Sequence, residues 1–286
     1  MPLNYDKLVN WKFTGFEHRY SANDTILYAL GIGLGYDPLD LQQLSFVYEK
    51  NLRTLPTMAT ILGYPWGWLH QADAGITRVK LVHAEQGIYL HRPIPPQGEL
   101  ISDTRVTHIV DKGTEKGALI YSERQVSDKR SGELVFTATA TTFCRADGGF
   151  NGPVGPVKLV EPVPARAPDA ICDLPTLPQA ALIYRLCGDR NPLHIEPEVG
   201  RRAGFQGPIL HGLCTYGVAG HAIIKTFCDY DETQLVSLEA RFSAPVYPGE
   251  IIRTEMWRDG CKVRFCARVV KRNSVVLNNG VAQLRN

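Results

Sequence analysis

The sequence lacks the patterns that announce many functions outright. Seven cysteines, at positions 144, 172, 187, 214, 228, 261 and 266, show no Cys-x-x-Cys spacing and form an odd set. That excludes a paired disulfide framework and leaves a zinc site no ligand pattern, so the cysteines read as small buried hydrophobes. No Lys/Arg run exceeds two residues and the formal net charge is only +2. No field is available to gather nucleic acid or an acidic membrane surface, so a nucleic-acid partner is excluded. Nowhere do about 18 apolar residues run together, which argues against a membrane span. The opening "MPLNYDKLVNWKF" lacks an apolar leader and the closing "AQLRN" is not a Ser-Lys-Leu address, so a cytoplasmic protein is expected.

What remains is ordinary globular material, 44% hydrophobic and 21% charged over 286 residues, enough for one large domain or two smaller ones. One stretch breaks the composition. "NGPVGPVKLVEPVPARAP" (151–168) holds five prolines and two glycines, without helical or strand periodicity. It reads as an extended surface linker, because proline fixes φ and removes a backbone donor. The expected division is residues 1–150, a linker over 151–170, and residues 171–286.

The two halves repeat a pattern. "RPIPPQGEL" (92–100) leads into "ISDTRVTHIV", "ALIYSERQVSD" and "LVFTATATTFCR", separated by the turns "DKGTEKG" and "KRSGE". "APVYPGEI" (244–251) leads into "IRTEMW", "KVRFCARVV" and "VVLNNGVAQL", separated by "RDGC" and "KRNS". A proline-rich Gly-Glu corner followed by a three-strand meander therefore occurs twice. Upstream, each half has a short helical stretch ("DTILYALGIG", "QAALIYRLCGD") and then an apolar, small-residue one, "TLPTMATILGYPWGWL" (54–69) and "ILHGLCTYGVAGHAII" (209–224). A helix apolar all round, with Gly217, Ala219 and Gly220 permitting close approach, belongs in a core. The expected class is α+β: two antiparallel sheets, each wrapped round a central helix, as a tandem hot dog.

The halves are unequal in polar chemistry. "CGDRNPLHIEP" (187–197) concentrates Asp189, Arg190, Asn191 and His194, while the matching first-half stretch, "GIGLGYDP" (31–38), has no His and no Asp–Asn pair. Asp189 and His194 would stand about 140° apart on an ideal helix. Pro192 disfavours helical geometry at Asn191 and Gly188 loosens the chain before it. A folded-back loop can therefore bring carboxylate, amide and imidazole round one small molecule, a set suited to holding and deprotonating a water. The same residues also make a good turn, with Asp and Asn satisfying their own backbone. The stretch "GPILHGLCTYG" (207–217) shifts the balance. It opens the apolar helix at His211-Gly212, where free N–H groups and the positive dipole end can hold an oxyanion. Cys187, Arg190, His211 and His221 are left as packing or solvent-facing residues.

"YRLCGDRNPLH" with "GFQGPILHGLCTYGVAG" resembles the motif of the MaoC-like, (R)-specific enoyl-CoA hydratases, the hydratase 2 family. "LYALGIGLG", "FVYEKN", "LPTMATILG" and "HAEQGIYLHRPIPPQGEL" are similar to the degenerate first hot dog of its long members. The resemblance implies reversible hydration of a trans-2-enoyl-CoA of medium, long or bulky acyl chain. It implies no metal and no other cofactor, the coenzyme A thioester being the substrate, and a homodimer. It assigns Asp189 and His194 to the catalytic water, Asn191 as their polar partner and the Gly212 N–H as oxyanion donor. It also assigns substrate contacts to His83, Ala84, Lys112 and Phe242, with Ala84 standing where the family has glycine. A thioesterase and a non-catalytic acyl-CoA-binding protein are the competing readings on the same fold.

Overall fold

In the computed structural model, residues 3–67, 69, 74–77, 80–156 and 161–285 are described. Ten strands of the described residues form one antiparallel sheet: β1 (Lys12–Tyr20), β2 (Leu81–Leu90), β3 (Gly98–Asp111), β4 (Ala118–Asp128), β5 (Leu134–Cys144), β6 (Ala170–Pro175), β7 (Leu235–Phe242), β8 (Ile251–Asp259), β9 (Lys262–Val269) and β10 (Ser274–Leu284). Their spatial order is β1-β3-β4-β5-β2-β7-β10-β9-β8-β6. The order reads alike from either end: an edge strand, a three-strand meander, then the strand that faces the other half. The two meanders are those expected after the proline corners. The halves meet where β2 pairs with β7, Glu85 opposite Arg241 through Tyr89 opposite Ser237.

Among the described residues six α-helices accompany the sheet: α1 (Tyr5–Val9), α2 (Ala22–Gly31), α3 (Leu41–Leu44), α4 (Ala180–Tyr184), α5 (Pro197–Arg202) and α6 (Gly212–Phe227). The longest, α6, is buried continuously from Cys214 to Ile224. Its small residues admit the first half. A Cβ on Gly217 would stand 2.8 Å from Ile32 Cγ2, and one on Gly220 would stand 2.4 Å from Thr57 Cγ2. Each large apolar side chain buried in this seam contributes roughly 1.5–3 kcal/mol. The chain forms the α+β tandem hot dog expected from the repeat, with the two expected sheets joined edge to edge into one. No helix among the described residues is long and apolar enough to cross a membrane.

The first half departs from expectation at its core. Instead of a continuous helix over 54–69, the chain makes a 3-10 segment over Pro56–Thr60 and then bends at Gly63, whose φ is +64°. Gly63 and Pro65 interrupt the helical ladder within one turn of each other; Trp68 lies outside the described residues. The proline-rich stretch shows no regular structure where it is described, and 157–160 lie outside those residues.

Candidate active site

The polar loop sits between α4 and α5 and leans on the start of α6. Gly188 takes φ +127°, a conformation that L side chains rarely adopt. Asp189 then folds the loop on itself, its Oδ1 accepting the Asn191 N–H at 3.1 Å. Asn191 turns its own Oδ1 to the Leu193 N–H at 3.1 Å and caps the single turn Pro192–His194. The turn carries His194 into the interior, 8% exposed. Turn reading and site reading are thus both realised: the Asx contacts build the loop that holds Asp189 Oδ2 3.9 Å from His194 Nε2. Such a gap is too long for a direct hydrogen bond and short enough for one water to reach both atoms at about 2.8 Å.

His194 has a defined tautomer. Its Nδ1 lies 2.8 Å from the Ile209 carbonyl and donates to it, which leaves Nε2 as an acceptor in the neutral ring. Burial lowers its pKa, against smaller upward contributions from the Ile209 contact and the Asp189 charge. His194 is therefore the neutral imidazole at pH 7.

His211, expected as a packing residue, lies inside the site. Its ring stacks on His194 with centroids 3.7 Å apart, and its Nε2 donates to the Asp189 carbonyl at 3.1 Å. Burial, helped by the His194 ring, draws its pKa down to about 3. Because that side chain is committed to the loop, it makes no side-chain cap bond at the start of α6. Gly212 follows at the first helical position, where an α-helix offers its N–H no internal acceptor. His221 packs within α6 against the Tyr230 hydroxyl at 3.1 Å, as expected. Cys187 is partly buried against the core and its thiol is pushed up to about 12 by burial, which suits packing and not attack.

Asp189, His194 and His211 offer three ligand atoms within 4.8 Å of one another. Stacked imidazoles send their in-plane lone pairs out side by side instead of converging on one point. The set fits a proton-handling site better than a tetrahedral metal site.

The first half closes one wall. His83 stands at a bulge in β2: His83 faces Thr142 and Glu85 faces Thr141, so Ala84 is the extra residue. The His83 ring lies 4.9 Å from that of Phe242, and a Cβ on Gly212 would stand 3.2 Å from Phe242 Cε1. Burial lowers the His83 pKa to about 4, opposed by its contact with the Glu85 carbonyl and by the Asp189 charge. The structure thus gathers Asp189, His194, Gly212, His83 and Phe242, with Ala84 beside them. Arg190 faces solvent as expected, and Asn191 serves the turn, not the gap. Lys112 lies apart on the surface, its Nζ 5.3 Å over the Phe143 ring. Phe143 is opposite Val82, so that lysine shares the His83 end of the sheet.

The MaoC like domain family matches residues 160–279, and the MFE-2 hydratase 2 N-terminal domain family matches residues 18–146. A probable enoyl-CoA hydratase 2 from Dictyostelium discoideum is 38% identical, covering 99% of this chain and 97% of that one. Peroxisomal multifunctional enzyme type 2 from Mus musculus is 36% identical over 96% of this chain and 38% of its own length. The crystal structure of a MaoC-like dehydratase from Phytophthora capsici superposes with TM-score 0.87 at 32% identity, over 99% of this chain and 98% of that one. One expectation is corrected here. Assignment to the cytoplasm rested on missing addresses, and the mouse relative is named peroxisomal. An address is a short receptor-read segment that leaves no mark on fold or site.

Proposed function

The chain belongs to the MaoC-like hydratase family, and from that premise we propose an (R)-specific enoyl-CoA hydratase, converting trans-2-enoyl-CoA reversibly to (3R)-3-hydroxyacyl-CoA. Hydro-lyase chemistry on an acyl-CoA, without a cofactor, is what membership carries. The observation that supports the finer reading is the 3.9 Å gap between an acceptor-state imidazole and a carboxylate.

In this mechanism one water donates to Asp189 Oδ2 and His194 Nε2. Its oxygen bonds to C3 of the enoyl group while one of its O–H bonds breaks towards the pair. The C2=C3 electrons shift to the thioester oxygen as an enolate, which the Gly212 N–H and the positive end of α6 stabilise. The enolate collapses as the pair returns a proton to C2. Water's OH and H are then both accounted for. Asn191 supports the pair by shaping its turn. His83, Ala84 and Phe242 form the wall against the acyl thioester, and Lys112 receives the charged end of coenzyme A.

We take residues 1–150 as the acyl-binding half, 151–170 as the linker and 171–286 as the catalytic half. Medium, long or bulky acyl groups are the proposed substrates; the reduction of the first-half core helix to a 3-10 segment supports that choice. The outermost strands β1 and β6 each have one sheet neighbour, which supports a homodimer. The deciding experiment is loss of enoyl-thioester absorbance across a chain-length series, with chiral analysis of the product. (3R)-Product and a preference for the decenoyl over the crotonyl thioester are expected. (3S)-Product, or release of free thiol instead of hydration, overturns the proposal.

A further inference from the structure

The catalytic loop touches a side chain that belongs to the other half of the molecule. A Cβ built on Gly188 would stand 2.6 Å from Trp66 Nε1 and 2.9 Å from its Cε2. The indole edge therefore rests on the loop backbone one residue before Asp189. Trp66 reaches that position through a chain of contacts rooted in the first-half core.

The root is Arg124 on β4, a buried arginine 5% exposed. Its guanidinium donates to the Ala59 and Thr60 carbonyls, at 2.8 and 3.0 Å, and so terminates the short turn Pro56–Thr60. The cation also lies 4.9 Å over the Tyr64 ring. Two carbonyls and an aromatic face offset the cost of burying it. The chain reverses at Gly63, whose carbonyl is held by Ser102 Oγ at 2.7 Å. Tyr64 then meets Trp66 edge to face, with ring centroids 4.5 Å apart. The succession of neighbours thus runs from Arg124 through Tyr64 and Trp66 to Gly188.

We propose that Trp66 is a positioning residue for the hydratase reaction: held by Tyr64 above Arg124, it sets the Gly188–Asp189 backbone and so the Asp189–His194 gap. The proposal rests on the hydratase reading. Within the second half, His211 holds the Asp189 carbonyl; Trp66 supplies a contact from outside that half. Indirect positioning of this kind acts on kcat, since a displacement of about 1 Å at a reacting group costs up to about 100-fold.

The test uses the full-length protein and crotonyl-CoA, whose short acyl group isolates loop position from tail binding. Trp66→Ala is expected to lower kcat by about 10- to 100-fold with KM altered less than about twofold. Trp66→Phe should recover part of the loss. The decisive readout is a double-mutant cycle: in an Asp189→Asn background, measured at high enzyme concentration, Trp66→Ala should cost almost nothing further, because it acts through Asp189. Full kcat per folded molecule in Trp66→Ala, or a loss that multiplies unchanged in the Asp189→Asn background, overturns the proposal. Should Trp66→Ala not fold, Trp66→Leu keeps apolar bulk without the indole's reach and enters the same cycle. A wild-type protein inert towards enoyl-CoA overturns the hydratase reading and this inference with it. An active wild type with a fully active Trp66→Ala overturns this inference alone.

Discussion

Asp189→Asn tests the acid–base pair with little structural disturbance. The amide oxygen can still accept the Asn191 N–H that closes the loop, and the contact from His211 goes to the backbone carbonyl. What changes is the atom 3.9 Å from His194 Nε2. A carboxylate oxygen becomes an amide NH2, a donor aimed at the acceptor that the water needs. General acid–base groups contribute about 10²–10⁴ in rate, so kcat should fall by that factor, about 2.7–5.4 kcal/mol of barrier. The loop is partly exposed, so Tm should move by no more than about 3 °C. The pH profile gives an independent reading. Protonating His194 removes its Nε2 acceptor, so the acid limb of kcat/KM follows that ring. Burial lowers its pKa, and the Asp189 charge partly restores it. Removing the charge lets the pKa fall further, and the acid limb of the residual activity should move to lower pH. Initial rates of enoyl-thioester absorbance loss across pH measure both effects. A kcat within tenfold of wild type, or an acid limb that rises, refutes the pairing.

Gly212→Ala places a methyl 3.2 Å from Phe242 Cε1 and should reduce kcat by about 10- to 100-fold through the displaced N–H; unchanged turnover would mean that the developing charge lies elsewhere. Gly220→Ala sets a Cβ 2.4 Å from Thr57 Cγ2 and should destabilise by about 1–3 kcal/mol, read as a lower Tm. Thr57→Ser in that background should recover part of the loss. Lys112→Ala should raise KM for coenzyme A thioesters by about two- to fivefold at low salt. The increase should vanish with a pantetheine thioester, which lacks the phosphates.

The meanders were legible because their strands alternate and their turns carry Gly, Asp, Asn and Ser. Helix α6 was legible because its apolar run is long and free of proline. The Asp189–His194 pair was legible as residues, while its geometry was not, since one turn cap and one carbonyl, Ile209, decide it. Residues 54–69 misled because apolarity reports burial and not helicity, and the breakers Gly63 and Pro65 lie inside the apolar run. His211 was read as packing because its hydrogen bond to Asp189 spans 22 residues of chain. Arg124 is legible from its strand pattern. In β4, Ile120, Arg124 and Val126 share the inward face, so the alternation alone puts a cation in the core. Its neighbour Glu123 points to the other face and pairs with Arg105, so the buried guanidinium calls for carbonyls, and the turn at 56–60 provides them.

The pairing of β2 with β7 joins the halves by main-chain hydrogen bonds over Glu85–Tyr89 and Ser237–Arg241. Main-chain bonds do not depend on which side chains flank them. A duplicated ancestor joined along such a seam could change one copy's side chains almost freely and keep its partner. One half can therefore lack the polar loop and stay assembled with the half that carries it, its surface free to serve as a wall for its neighbour.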